Sequence, residues 1–241
     1  MKNNFYKKCA FIIVLAIIVL VVIFIMLRYE VQGEKDMPYK VNKILLVSTV
    51  DGKASDDPNN IWNINVSEVN DIYVFINKDK ETDKTIEEIK FENFVINTKP
   101  QKGEIKLLRP TGELPNLYSQ STGNYLEDGI SYLGGVIDDM KALEIANTGG
   151  IAGFRLSLDN LGTYISNDNQ EINYDGRLLS NIDVKYEEIK FDVSFDIIIK
   201  TSKNISYKGT INLSLPIENI MTDKESNKEI TDFSDVIFKR I

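Results

Sequence analysis

The sharpest chemical pattern in the sequence is a run of oxygen-bearing side chains at alternate positions, beginning at Asn77. Positions one, three, five, seven and twelve of this run are Asn77, Asp79, Glu81, Asp83 and Glu88. This is the ligand spacing of an EF-hand calcium loop. The run departs from that loop because Thr82 occupies the position of the invariant glycine and three lysines intervene. Calcium is therefore one interpretation, and a charged connection between two strands is the other; the acidic run Ser166–Glu171 supports the same two interpretations.

Most side chains used in nucleophilic catalysis are missing. The chain contains no histidine, and its single cysteine, Cys9, precedes an apolar segment. These absences exclude Ser-His-Asp and Cys-His catalysis and any histidine-ligated metal. The remaining candidates are two serine–lysine pairs, Ser202 with Lys203 and Ser206 with Lys208, and the carboxylates Glu127, Asp128, Asp138 and Asp139. The serine–lysine pairs lack the helical S-x-x-K pattern, and carboxylate pairs are defined by their separation in space. We predict that the protein is not an enzyme and has no catalytic or cofactor-binding residue, with a carboxylate-based cell-surface hydrolase as the alternative.

The segment Cys9–Leu27 contains neither a charged residue nor a helix breaker. An apolar run of about 20 residues spans a hydrocarbon core about 30 Å thick, which predicts a transmembrane helix. Lys2, Lys7 and Lys8 precede the segment, whereas Arg28 alone follows it closely. Because positive charge stays on the cytoplasmic side, we expect a single-pass plasma-membrane protein with its N-terminus inside and residues 29–241 outside.

The charge of the exterior part restricts the classes of partner. Residues 29–241 hold 24 of the 28 basic residues and all 36 acidic residues, a net charge of −12. This argues against nucleic acid and against adhesion to anionic polymers by charge alone. We expect the partners to be the membrane itself and an envelope protein or wall component.

Two short words recur in the same order and predict an internal duplication. The word EEIKF occurs at Glu87–Phe91 and Glu187–Phe191, and the pattern K-G-x-I-x-L-x-x-P occurs at Lys102–Pro110 and Lys208–Pro216. Alternating apolar and polar residues around both words indicate β-strands. We predict an all-β protein in which the N-terminal helix precedes two related, antiparallel, Ig-like β-sandwich units.

The predicted organisation has five parts. They are a cytoplasmic tip and anchor (1–28), a stalk (29–38), a first sandwich copy (39–110), a linker (111–136) and a second copy (137–241). The linker is assigned because this stretch is rich in Pro, Gly, Ser and Asn. The residues expected in the cores are Ile72, Phe75, Ile89, Phe91, Phe94, Ile105 and Leu107 in the first copy, and Leu156, Leu158, Ile189, Phe191, Phe195, Ile211 and Leu213 in the second. The sequence leaves open whether the copies form separate domains or one continuous sandwich.

The segment FRLSLDNLGTYISNDNQEINYDGRLL (154–179) and the ending VIFKRI (236–241) resemble uncharacterised, signal-anchored exterior proteins of low-GC Gram-positive bacteria. The resemblance implies an exterior location and such a source, and it implies no site. We therefore expect a non-enzymatic, membrane-anchored binding or structural module of the cell envelope. A carboxylate-based hydrolase and a calcium or ligand sensor are the alternatives.

Overall fold

The chain begins with a long helix in the computed structural model, which describes residues 2–54, 63–113, 116–135, 143–166, 172–222 and 226–241. Helix α1 runs from Lys2 to Asp36, and its segment Tyr6–Met26 is long and apolar enough to cross a membrane. The large apolar side chains between Phe11 and Met26 are all exposed, which is costly in water and favourable in hydrocarbon. The helix also takes in residues 29–36, most of the segment predicted as a stalk.

The rest of the described chain is predominantly β-structure arranged in two packed sheets, as predicted. The strands are β1 (Tyr39–Ala54), β2 (Asn63–Lys78), β3 (Ile86–Thr98), β4 (Glu104–Leu108), β5 (Ile130–Gly134), β6 (Leu143–Ile145), β7 (Gly149–Ile165), β8 (Phe191–Thr201), β9 (Ile205–Leu215), β10 (Ser226–Ile230) and β11 (Lys239–Arg240). Sheet A has the strand order β10-β1-β2-β7-β4, and sheet B has the order β11-β9-β8-β3-β5-β6. All of these strand pairs are antiparallel except β5 with β6. The short helices are α2 (Gly176–Asn181), α3 (Tyr186–Ile189) and the 3-10 helix η1 (Glu218–Met221).

Residue alternation decides which side chains enter the core between the sheets. In β2, Ile72, Val74 and Ile76 point toward sheet B and are fully buried. Phe75, which was predicted in the core, lies on the opposite face because neighbouring residues of a strand point to opposite sides. Its ring lies 4.7 Å from the Nζ of Lys43 on that outer face.

Four phenylalanines form the centre of the core. The ring centroids of Phe91 and Phe154 are 5.0 Å apart, and Phe195 lies 5.2 Å from Phe154 and 5.3 Å from Phe94. Burying a phenylalanine side chain contributes about 1.5–3 kcal/mol. Phe94 and Ile105 are partly buried against the core, and the other predicted core residues apart from Phe75 are buried: Ile72, Ile89, Phe91, Leu107, Leu156, Leu158, Ile189, Phe191, Phe195, Ile211 and Leu213.

Strands from the two predicted copies combine in the same two sheets. In sheet A, β2 of the first copy pairs with β7 of the second from Asn63 to Asn77. In sheet B, β3 of the first copy pairs with β8 of the second. The described strands therefore build one continuous sandwich, which is one of the two arrangements that the sequence left open. The physical reason is that β2 and β7, strands of 16 and 17 residues from different halves of the chain, pair along most of their length.

The repeated word adopts two different structures. Glu87–Phe91 lies within strand β3, whereas Glu187–Ile189 lies in helix α3 and Phe191 opens β8. Helix α3 forms because the Glu188 carboxylate accepts a hydrogen bond from the backbone N–H of Lys185 (2.9 Å) at the helix N-terminus. The surroundings thus override identical local sequence.

Candidate binding site

Strand β7 supplies the floor of a cavity on the face of sheet A that points away from sheet B. Phe154, Leu156 and Leu158 enter the core, so Arg155, Ser157 and Asp159 point outward. In the hydrogen-bonded register, Ser157 lies beside Val69 of β2, which in turn lies beside Thr49 of β1. The outward side chains of three neighbouring strands therefore meet in one row, with Val69 between the two hydroxyl-bearing residues.

Arg155 and Asp71 face each other across β7 and β2 and form a bidentate ion pair. The Nε and Nη2 atoms of Arg155 donate hydrogen bonds of 2.6 and 2.9 Å to the two carboxylate oxygens of Asp71. Their side chains are only 20% and 15% exposed, so solvent screens this pair less than a surface pair. Burial alone would lower the pKa of Arg155, but the hydrogen bonds and charge of Asp71 outweigh it and raise that pKa. The guanidinium is fixed in position and charge.

The segment between β4 and β5, predicted as a linker, forms the wall of this cavity. Tyr118 lies over Arg155, with the guanidinium carbon 4.3 Å from the ring centroid, and is buried. Backbone hydrogen bonds hold the wall in place, among them Ser121 N–H to the carbonyl of Tyr118 (3.0 Å) and Tyr125 N–H to the carbonyl of Leu107 (2.9 Å). Burial, and next the charge of Asp71, raise the pKa of Tyr118, so its phenol stays neutral. Strand β5 also lies within the stretch 111–136 that was predicted as a linker, and it pairs with β3 in sheet B.

The cavity has a volume of about 690 Å³ and a lining rich in hydroxyl groups. This volume lies within the range of about 300–1,000 Å³ found for small-molecule sites. In addition to Tyr118, the hydroxyl-bearing residues in its lining are Thr49, Ser67, Ser119, Ser121, Thr122 and Ser157. The register of β2 with β7 shifts between Val66 and Glu68, so that residues 159–161 of β7 lie opposite Ser67 alone.

Three of these hydroxyls are buried and have no hydrogen-bond partner among the described residues. They are the Oη of Tyr118, the Oγ of Ser121 and the Oγ of Ser157. An unpaired buried hydroxyl costs about 1–3 kcal/mol, and nearly all buried polar groups in proteins are paired. All three of these residues belong to the lining of the same cavity.

A second polar cluster lies on the opposite, inner face of sheet A. The fully buried Glu68 accepts a hydrogen bond at Oε2 from Asn70 (2.7 Å), and Ser48 donates one to the Oδ1 of Asn70 (2.6 Å). The backbone N–H of Ile217 donates to Ser48 (3.0 Å). Burial raises the pKa of Glu68 well above its ordinary value, which favours the neutral acid. Because the cluster faces the core, it connects β1, β2 and the segment after β9, and we assign it a structural role.

The residues predicted to bind calcium do not converge on one point. Three of the carboxylates contact three different lysines: Asp79 with Lys40 (2.8 Å), Glu81 with Lys78 (3.6 Å) and Asp83 with Lys203 (2.9 Å). Asn77 lies near the end of β2 and Glu88 lies within β3. Within the described ranges there is no group of three acidic side chains placed to hold a metal ion. In the second acidic run, residues 167–171 lie outside the described residues.

The residues considered for hydrolysis are also dispersed. Lys203 contacts Asp83, and Lys208 contacts Asp196 (3.3 Å), so each lysine of the two serine–lysine pairs faces a carboxylate. Glu127 and Asp128 lie exposed in a turn before β5. Asp138 and Asp139 lie outside the described residues.

Sequence reasoning did not identify Asp71, Tyr118, Arg155 or Ser157. The available signal was alternation in FRLSLD (Phe154–Asp159), where polar side chains occupy every second position of a strand whose other face is apolar. Tyr118 gave no signal, because its position over Arg155 depends on the path of an irregular segment.

The chain matches no protein-family model, no curated protein and no solved structure.

Proposed function

We propose that the chain is a non-catalytic, membrane-anchored binding module of the cell envelope, with α1 in the plasma membrane, its N-terminus inside and the sandwich outside. The observation that carries this proposal is the cavity over Arg155 and Asp71, with its three unpartnered buried hydroxyls. A fixed ion pair under an aromatic ring gives a rigid surface, which lowers the entropy lost on binding. The exposed apolar helix and the lysines before it support the anchored orientation.

The position of the cavity along β1 supports a ligand beyond the membrane surface. Strand β1 starts at Tyr39, directly after α1, and Thr49 in the cavity lies ten residues further along. At about 3.3 Å per residue, this places the cavity about 30 Å from the start of the strand. We therefore favour a ligand that lies in the envelope outside the bilayer over a lipid headgroup.

Photo-crosslinking in intact cells tests the proposed site. A photoreactive amino acid replaces Ser119, which is exposed and lines the cavity, and a matched one replaces Asn227, which is exposed on β10 of the same sheet. We expect a specific envelope component to be captured at Ser119 and not at Asn227. Equal capture at both positions, or none at either, would contradict the proposal.

Cysteine labelling tests the orientation separately. A cysteine replacing the exposed Lys228 should react with a membrane-impermeant maleimide in intact cells, whereas Cys9 should not. Labelling at Lys228→Cys only after cell lysis would place the sandwich inside the cell and overturn the proposal.

A further inference from the structure

The charges around the cavity balance one another. Its lining contains Asp51 and Asp159 as acids and Lys53 and Arg155 as bases. Arg155 is held by Asp71, and Asp159 contacts Lys106 at 2.8 Å. Recognition of a multiply charged anion or of a cation requires a concentration of the opposite charge. The balanced charges of this cavity do not provide one.

The unpartnered groups define the hydrogen-bonding character of the ligand. A serine or tyrosine hydroxyl donates one hydrogen bond and also accepts hydrogen bonds. Carboxylates and phosphates only accept, and ammonium groups only donate, so either would leave part of the capacity of Tyr118, Ser121 and Ser157 unused. Groups that both donate and accept, namely the hydroxyls and amides of sugars, match all three positions.

The shape and location of the cavity are compatible with a chain-like ligand. The buried hydroxyls lie below a rim that includes the exposed residues Asp51, Lys53 and Ser119. A sugar residue bound at the buried hydroxyls can therefore continue into a polymer outside the cavity. The net charge of −12 on residues 29–241 disfavours anionic wall polymers and leaves uncharged ones unaffected.

We propose that this cavity binds an uncharged, hydroxyl-rich sugar chain, recognised through the hydroxyls of Tyr118, Ser121 and Ser157 beside the Arg155–Asp71 pair. This inference rests on the proposed function, because it names the ligand class of the same site. It predicts that removing one of these hydroxyls weakens binding without lowering stability, because the group has no hydrogen-bond partner among the described residues to lose.

The test uses the full chain in lipid nanodiscs, because alkyl-glycoside detergents would compete for a sugar site. Calorimetry measures binding of the hexamers of N-acetylglucosamine and of β-1,4-linked glucose, with poly-glutamate as an anionic control. The variants are Tyr118→Phe, Ser121→Ala and Ser157→Ala. The matched control is Ser226→Ala, whose hydroxyl is also buried and unpartnered among the described residues but lies on β10 and outside the cavity lining.

We expect at least one neutral hexamer to bind and poly-glutamate not to bind. Each cavity variant should weaken the affinity by about 2–10-fold while its melting temperature stays equal to or above that of the parent. Ser226→Ala should leave the affinity unchanged. Failure of both neutral hexamers at millimolar concentration, or equal affinities for the cavity variants and the parent, would overturn the inference.

The crosslinking result separates this inference from the proposed function. Capture of a protein at position 119, together with no sugar binding, would retain the binding module and overturn the sugar ligand. No capture and no sugar binding would overturn both.

Discussion

Arg155 and Asp71 occupy directly opposed positions on β7 and β2, and two parallel hydrogen bonds of 2.6 and 2.9 Å hold the guanidinium beneath the ring of Tyr118. The pair thus joins two central strands of sheet A to the segment between β4 and β5. Because both hydrogen bonds of this bidentate pair are directional, they add geometric specificity to the charge interaction.

Asp71→Asn should destabilise the protein by about 2 kcal/mol, because it leaves the mostly buried Arg155 without a counter-charge. Thermal and urea unfolding of the full chain in nanodiscs measures the change. Glu229→Gln is the matched control, because Glu229 forms an ion pair with Lys43 and its own side chain is 53% exposed. This substitution should change the free energy of unfolding little. Equal stability losses in the two variants would show that the Arg155–Asp71 pair is no stronger than a surface ion pair.

Glu68→Gln should remove a specific pH dependence of stability. Burial raises the pKa of Glu68 in the folded chain, so the folded state holds this proton more tightly than the unfolded state does. Its contribution to stability is complete below the ordinary pKa of glutamate and declines as the pH rises through the raised folded pKa. Melting temperatures of parent and variant from about pH 4 to about pH 8 test this. The parent should lose stability relative to Glu68→Gln as the pH rises, and parallel curves would contradict the raised pKa.

Asp196 should have the opposite pH dependence. Burial tends to raise its pKa, but hydrogen bonds from Thr210 (2.6 Å) and Asn93 (2.9 Å) and the contact with Lys208 outweigh burial and lower it. The stability that this carboxylate contributes is present above the ordinary aspartate pKa and is lost as the pH falls through the lowered folded pKa. Thr210→Val removes the shortest of these hydrogen bonds and should cost about 1 kcal/mol at neutral pH, with a smaller cost in acid. A cost that is constant with pH would exclude this account.

A single cooperative unfolding transition is expected from the continuous core. Phe91 and Phe154 come from opposite halves of the chain, and their rings are 5.0 Å apart. Phe91→Ala and Phe154→Ala should each cost about 3–5 kcal/mol, and the double variant should cost less than the sum because the two rings contact each other. Two separate transitions, each sensitive to one substitution, would instead indicate independent halves.

Calcium should leave the melting temperature unchanged. Asp79, Glu81 and Asp83 contact Lys40, Lys78 and Lys203, so a bound ion would have to displace three ion pairs at separate places. Melting curves with millimolar calcium and with a chelator measure the effect. An increase in melting temperature that grows with the calcium concentration would restore the calcium interpretation of Asn77–Glu88.

Local chemistry was sufficient to predict α1 and the long strands, but not helix α3 or strand β5. The uninterrupted apolar run predicted α1 because length and composition alone decide whether a helix can cross a hydrocarbon layer. Period-two alternation predicted the strands and the burial of Ile89, Phe91 and Leu213. The charge of −12 restricted the classes of partner before any geometry was known.

The tertiary structure decided everything that depends on pairing between distant residues. Identical EEIKF words became a strand and a helix, since the first pairs with β5 and β8, whereas Glu188 in the second accepts hydrogen bonds from Gln101 and Lys102. Arg155 meets Asp71 across 84 residues of sequence, and the path of an irregular segment places Tyr118 over them. The sequence by itself thus determined the apolar N-terminal helix and the long strands, because these depend on neighbours a few residues apart. Only the folded chain determined the single sandwich and its cavity, because hydrogen-bond register between distant strands selects which outward side chains meet.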